Sequence, residues 1–191
     1  VDYVWNPPIS TTEYAYNSDG LLETETYTSD GSLVQLTEYQ YDANGNCTRE
    51  TFYSNGVVGF WLEHEYDTRN NRIKTTRFEN DGSWLKTFTY TYDQLDHLID
   101  MVYQDVTGGA YRETYAYDAA GNQVEIATYQ ADGSLSYRQT FEYDAAGNCV
   151  KQTSFRADGA MESWWEYDYS PDGQLTETRQ YSETGALIDR W

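Results

Sequence analysis

The sequence predicts an all-β fold of tandem β-hairpin repeats. About fourteen antiparallel strands would form one twisted, curled sheet, an open spiral or barrel-like. Three observations carry this: a tyrosine followed by a turn cluster recurs every 25 or 26 residues, a second turn lies midway, and the stretches between turns alternate with a period of two. The whole chain, 1–191, reads as a single domain of seven repeats.

The first series of turns follows Tyr16 (NSDG), Tyr41 (DANGN), Tyr66 (DTRNN), Tyr92 (DQLDH), Tyr117 (DAAGN), Tyr143 (DAAGN) and Tyr169 (SPDGQ). The second follows Tyr27, Tyr53, Phe78, Tyr103, Tyr129, Phe155 and Tyr181, with Asp-Gly or Asn-Gly in most copies. Such dipeptides accept the positive φ that tight hairpins require, so both series mark chain reversals. The stretches between them, about 7 to 9 residues long, have ordinary strand length.

Alternation assigns faces. Leu135, Tyr137, Gln139, Phe141 and Tyr143 fall on one side, as do Trp84, Lys86, Phe88, Tyr90 and Tyr92, and Met161, Ser163, Trp165 and Tyr167. Two residues before each turn tyrosine stand Tyr14, Tyr39, His64, Tyr90, Tyr115, Phe141 and Tyr167. With the turn tyrosines through Tyr169 they predict two rows of rings along one inner face. Burial of each ring would remove roughly 150 to 250 Å² from water, the main expected source of stability. No repeat covers its own face, so the array should behave as a nearest-neighbour stack.

Composition narrows function. Twenty tyrosines, 17% aromatic residues and a net charge of −20 leave no basic patch, so nucleic acid is not an expected partner. No apolar run is long enough for membrane insertion, and Val1 to Ile9 do not form an export signal, so a secreted form implies a signal absent from this sequence. Cys47 and Cys149 occupy equivalent positions four repeats apart, too distant to pair, and read as small buried hydrophobes.

The recurring Tyr-Asp-x-x-Gly-Asn, YDANGN from Tyr41 and YDAAGN from Tyr117 and Tyr143, resembles the tyrosine-aspartate (YD) repeats of the Rhs and teneurin families. The resemblance runs from about Tyr14 to about Gly185, departing where Asn17 follows Tyr16 and Ser170 follows Tyr169. It implies hairpins joined edge to edge in a long antiparallel sheet that spirals into a hollow shell. It also implies bacterial, surface or secreted proteins of toxin-delivery type. Leu187, Asp189 and Trp191 align with Met161, Ser163 and Trp165, so the sequence stops inside a strand, as a truncated end or a fragment would.

Residues that depart from their repeat column are the candidates for chemistry. Glu113 stands where other repeats carry Thr37, Leu62, Phe88, Gln139 and Trp165, but no second acid is fixed beside it, so no catalytic residue is assigned. His64 replaces a ladder tyrosine and His97 lies in a turn, so neither metal nor cofactor is expected. Asp42, Asn44 and Asn46 resemble the start of a calcium loop, but the glycine and distal glutamate of such a loop are missing and Asx-turn capping accounts for them. Trp61 and Trp164 replace Thr, Leu or Arg on the polar face. With Trp84 and Trp165 they are the candidate ligand-binding residues, as stacking platforms for carbohydrate or protein. The expected function is a non-enzymatic secreted or cell-surface binding module. The alternatives are a structural spacer or shell segment of a larger Rhs-like protein and, more distantly, a glycoside hydrolase. A homo-oligomer through sheet edges or faces is a further expected outcome.

Overall fold

The computed structural model describes residues 9–191, so the reading of the opening residues as something other than an export signal lies, Ile9 apart, outside the described residues. The chain divides into two compact units, residues up to 89 with 105–107, and residues 90–104 with 108–191. Among the described residues there are fifteen strands and no helix. They are β1 (Ser10–Tyr16), β2 (Leu22–Ser29), β3 (Ser32–Tyr41), β4 (Cys47–Ser54), β5 (Val57–Tyr66), β6 (Arg72–Glu79) and β7 (Trp84–Tyr92). Then come β8 (Leu98–Asp105), β9 (Ala110–Tyr117), β10 (Gln123–Gln130), β11 (Leu135–Tyr143), β12 (Cys149–Arg156), β13 (Met161–Tyr169), β14 (Leu175–Ser182) and β15 (Leu187–Arg190). The strand beyond the expected fourteen is the short β15.

In the first unit β1 to β7 pair antiparallel in chain order. In the second, β8 to β15 do the same. Short turns force this, because a hairpin can only return antiparallel beside the strand it has left. The all-β repeat sheet expected from the sequence is therefore the observed fold.

Two turn designs recur. After the turn tyrosine, the aspartate caps its own loop: Asp42 Oδ1 accepts from the backbone N–H of Asn44 and Asn46, and the Asn46 side-chain amide donates to Oδ2 at 2.9 Å. Asp118 and Asp144 repeat these bonds with Asn122 and Asn148. At the second turn, Asp30-Gly31 and Asn55-Gly56 are two-residue loops with positive φ at both positions, the primed geometry that matches strand twist.

Register shifts qualify the alternation. In the β3–β4 pair Gln40 faces Arg49 but Tyr41 faces Cys47, so Thr48 is an extra residue. Such a bulge turns the residues on its two sides by one position. The same device follows the second turn: Phe78 pairs with Trp84 while Arg77 pairs with Lys86. Trp84 therefore shares the polar face of Phe78, not the face of Lys86 and Phe88. For the same reason Leu135 pairs with Tyr129 and Met161 with Phe155, opposite in face to Tyr137 and Ser163. Simple parity misplaces all three.

The ring rows also pack differently from the expectation. Rings of one column sit on every second strand, about 9 to 10 Å apart at two strand spacings, beyond stacking range. The residues between them are Glu25 opposite Tyr14, Glu50 opposite Tyr39, Thr75 opposite His64, Ile126 opposite Tyr115, Gln152 opposite Phe141 and Thr178 opposite Tyr167. Most column rings are consequently half-buried, and Tyr14 and Tyr16 on β1 are 55% and 61% exposed. Among the described residues the buried apolar side chains are small or slender, Ala127 and Met101.

What joins successive hairpins is polar. The turn tyrosine hydroxyl reaches back to a backbone carbonyl at the start of the preceding strand: Tyr41 donates to Leu22 at 2.7 Å and Tyr66 to Cys47 at 2.8 Å. In the second unit Tyr117 donates to Leu98 at 3.0 Å, Tyr143 to Gln123 at 2.8 Å and Tyr169 to Cys149 at 3.0 Å. Each rung contributes about 1 kcal/mol, the usual net worth of such a bond.

Candidate functional site

On the polar face of the first unit Trp61 lies on β5 between two neighbours. Its ring stacks on Phe78 at 5.4 Å, the Arg49 guanidinium sits 4.6 Å from its centroid, and its Nε1 donates to Glu63 at 3.1 Å. Arg49 in turn pairs with Glu63 at 3.3 Å. Trp164 in the second unit repeats the arrangement with Tyr181 at 5.0 Å, Lys151 at 6.0 Å and Glu166 at 3.4 Å. Both indoles are half-buried with their faces engaged by cross-strand neighbours, so neither is the open platform anticipated from the sequence.

Trp84 differs. It is 38% exposed, and its Nε1 donates to Thr87 Oγ1 at 2.6 Å. It borders a groove of about 600 Å³ on the first unit, lined also by Arg49, Glu63, Glu65, Lys74 and Thr87. The groove thus offers an aromatic edge beside paired charges. Trp165, in the second unit, stacks on Trp191 at 5.5 Å.

On the other face, Glu113 accepts a 2.7 Å hydrogen bond from the Tyr115 hydroxyl. Burial and then that carboxylate hold the Tyr115 phenol well above its ordinary pKa. His97 is a turn residue: its Nδ1 lies 3.0 Å from Asp93 Oδ2 and its ring stacks on Tyr117 at 4.6 Å. Asp42 has both carboxylate oxygens turned to N–H donors, and the side-chain and then backbone bonds from Asn46 lower its pKa. That occupancy leaves the loop arranged as an Asx cap.

One convergence was not anticipated. His64, with its side chain almost fully buried, has Nδ1 2.9 Å from Thr75 Oγ1 and Nε2 3.1 Å from Glu50 Oε1. Cys47 Sγ completes a group in which the three ligating atoms lie within 4.8 Å of one another. Burial lowers the His64 pKa against the pull of the Glu50 carboxylate. Burial likewise raises the Cys47 thiol. Cys47 and Glu50, three apart on one strand, would face opposite ways by alternation, and the bulge at Thr48 brings them to the same face. The signal available in the sequence was that Cys47, Glu50 and His64 fall in one repeat, but parity concealed it.

The repeat itself has relatives. Residues 117–161 match the family model described as RHS Repeat. This stretch is similar to an RHS repeat. It opens on Tyr117, contains both copies of YDAAGN and ends on Met161, so the match falls on the residues that carry the tyrosine-aspartate resemblance in the second unit. Among solved structures the chain is similar to TcdB2-TccC3 without its hypervariable C-terminal region, at 14% identity and a TM-score of 0.46, covering 94% of this chain and 13% of that one. It is also similar to a porin-like protein from Bacteroides uniformis ATCC 8492, at 12% identity and a TM-score of 0.36, covering 96% and 92%. No curated protein matches.

Proposed function

We propose that this chain is a non-enzymatic structural segment of a larger Rhs-like protein, a stretch of sheet wall in a surface-exposed or secreted assembly. The observation that carries the reading is the phenol-to-carbonyl rung, repeated from Tyr41, Tyr66, Tyr117, Tyr143 and Tyr169 to the strand immediately before, which belongs to the preceding tyrosine-turn hairpin. A rung of that kind ties each hairpin to the one before it and needs no partner from outside the array. The RHS match over residues 117–161 supports the same reading. The test is to duplicate residues 118–143 within the full chain and follow urea unfolding. A wall segment gains stability with the added repeat, since each new interface adds a nearest-neighbour contribution. A duplicated chain that is less stable or aggregates would count against it. Protease shaving of intact cells expressing the full reading frame tests the location, which requires the repeat to be cleaved from outside.

A second reading, carbohydrate binding, is favoured by one feature: the exposed edge of Trp84 beside the charged groove of the first unit. Glycan-array binding that is lost in Trp84→Ala and kept in Trp165→Ala would support it. An array without signal would dismiss it.

A further inference from the structure

We infer that Cys47, Glu50 and His64 form a zinc site that clamps β4 to β5 on the ring-bearing face of the first unit. The three ligating atoms already lie within 4.8 Å of each other, with Nε2 to Oε1 at 3.1 Å. Tetrahedral coordination with zinc-to-sulfur and zinc-to-nitrogen bonds of about 2.3 and 2.0 Å puts sulfur and nitrogen about 3.5 Å apart, so only a small side-chain adjustment is required. Thiolate, imidazole and carboxylate together suit zinc better than calcium or magnesium, which prefer all-oxygen sets.

The surroundings are those of a held ligand rather than a chance encounter. Thr75 Oγ1, 2.9 Å from His64 Nδ1, accepts the proton of that nitrogen once Nε2 turns its lone pair to the metal, the usual outer support of a ligating histidine. Thr75 is itself buried. On binding, the Cys47 thiol gives its proton to solvent, and thiolate plus carboxylate then balance the two charges of the ion. The guanidinium of Arg72, at the equivalent position of the next repeat, is exposed to solvent, which screens it.

The repeat supplies internal controls. The slots of Cys47, Glu50 and His64 hold Leu22, Glu25 and Tyr39 one repeat earlier, Leu98, Met101 and Tyr115 two repeats later, and Gln123, Ile126 and Phe141 after that. The slots at Cys149 hold Gln152 and Tyr167, so the same cysteine there has no liganding companions. Only in the Cys47 repeat do all three slots carry zinc ligands. Replacing each by its column residue, Cys47→Leu or His64→Tyr, removes a ligand while keeping a side chain this fold already accommodates.

The test is titration of the full, reduced chain with zinc against a chromogenic chelator, together with cobalt(II) substitution. The expected result is one equivalent of metal, a rise in Tm with added zinc, and for cobalt a thiolate charge-transfer band with the strong visible bands of tetrahedral coordination. Cys47→Leu and His64→Tyr should each lose binding and the charge-transfer band while circular dichroism stays unchanged. Thr75→Ala should weaken binding about 10- to 100-fold, and Cys149→Leu should leave it intact. Absence of the charge-transfer band, or binding that survives both Cys47→Leu and His64→Tyr as loose association with the acidic surface, would overturn the inference.

Discussion

Replacing Tyr143 by Phe removes one oxygen and nothing else. In the folded chain that hydroxyl donates to the Gln123 carbonyl at 2.8 Å in partly buried surroundings. The net worth of such a bond is about 0.5–1.5 kcal/mol, and the stranded carbonyl sets the cost toward the middle of that range, about 1 kcal/mol or a fivefold change in the folded-to-unfolded ratio. With a urea slope of about 2 kcal/mol/M, the midpoint should fall by about 0.5 M at constant slope, read by tryptophan fluorescence. Tyr16→Phe is the control, because Tyr16 is exposed on the edge strand and makes no such rung among the described residues. The rungs of Tyr117 and Tyr143 stand two strands apart, about 9 to 10 Å, so the double variant should lose the sum of the single losses within a few tenths of a kcal/mol. If Tyr143→Phe and Tyr16→Phe shift the midpoint equally, the rung does not hold the hairpins together and the structural reading loses its main support.

Two further outcomes follow from the turns. Gly133 has φ +81 with open space where a Cβ would stand, so Gly133→Ala should cost about 1–2 kcal/mol through backbone strain alone, and Gly133→Asn less, in the same urea assay. Asp118 and Asp144 have folded pKa values lowered by their side-chain and then backbone bonds from Asn122 and Asn148. Because the folded value lies below the unfolded one, their contribution is complete above the ordinary aspartate value of about 3.9 and is lost as pH falls from there through the folded value. The urea midpoint should therefore drop across that acid window, and drop less in Asp118→Asn with Asp144→Asn. Equal slopes in both chains would refute the capping role.

The hairpins were legible because their determinants are local. Tyr117-Asp118 and Tyr143-Asp144 each announce a turn whose aspartate folds onto its own backbone, and the Asp-Gly pairs announce the return. Face assignment was less legible, because it depends on where a strand gains a residue relative to its partner. Trp84 reads as a ring-face residue by parity, yet pairs with Phe78 across a bulge that only the partner strand defines. Trp61 and Trp164 read as open platforms because the sequence does not reveal that Arg49 and Lys151 cover them from the neighbouring strand. The same non-local effect concealed Cys47, Glu50 and His64 from any argument based on alternation alone. Fold class is written in each hairpin, whereas the chemistry of a face is written between hairpins.

The extra residue at Thr48 gives the architecture an addressable slot. Gln123 faces Tyr117 while Glu125 faces Ala116, the same offset that separates Cys47 from Arg49. A protein engineer can therefore write a thiol, a carboxylate and an imidazole at positions 123, 126 and 141 and obtain a transplanted triad without redrawing the backbone. Oddness in the residue count, which elsewhere disrupts a strand, here serves as a socket that recurs beyond Tyr16, Tyr41, Tyr66, Tyr117, Tyr143 and Tyr169.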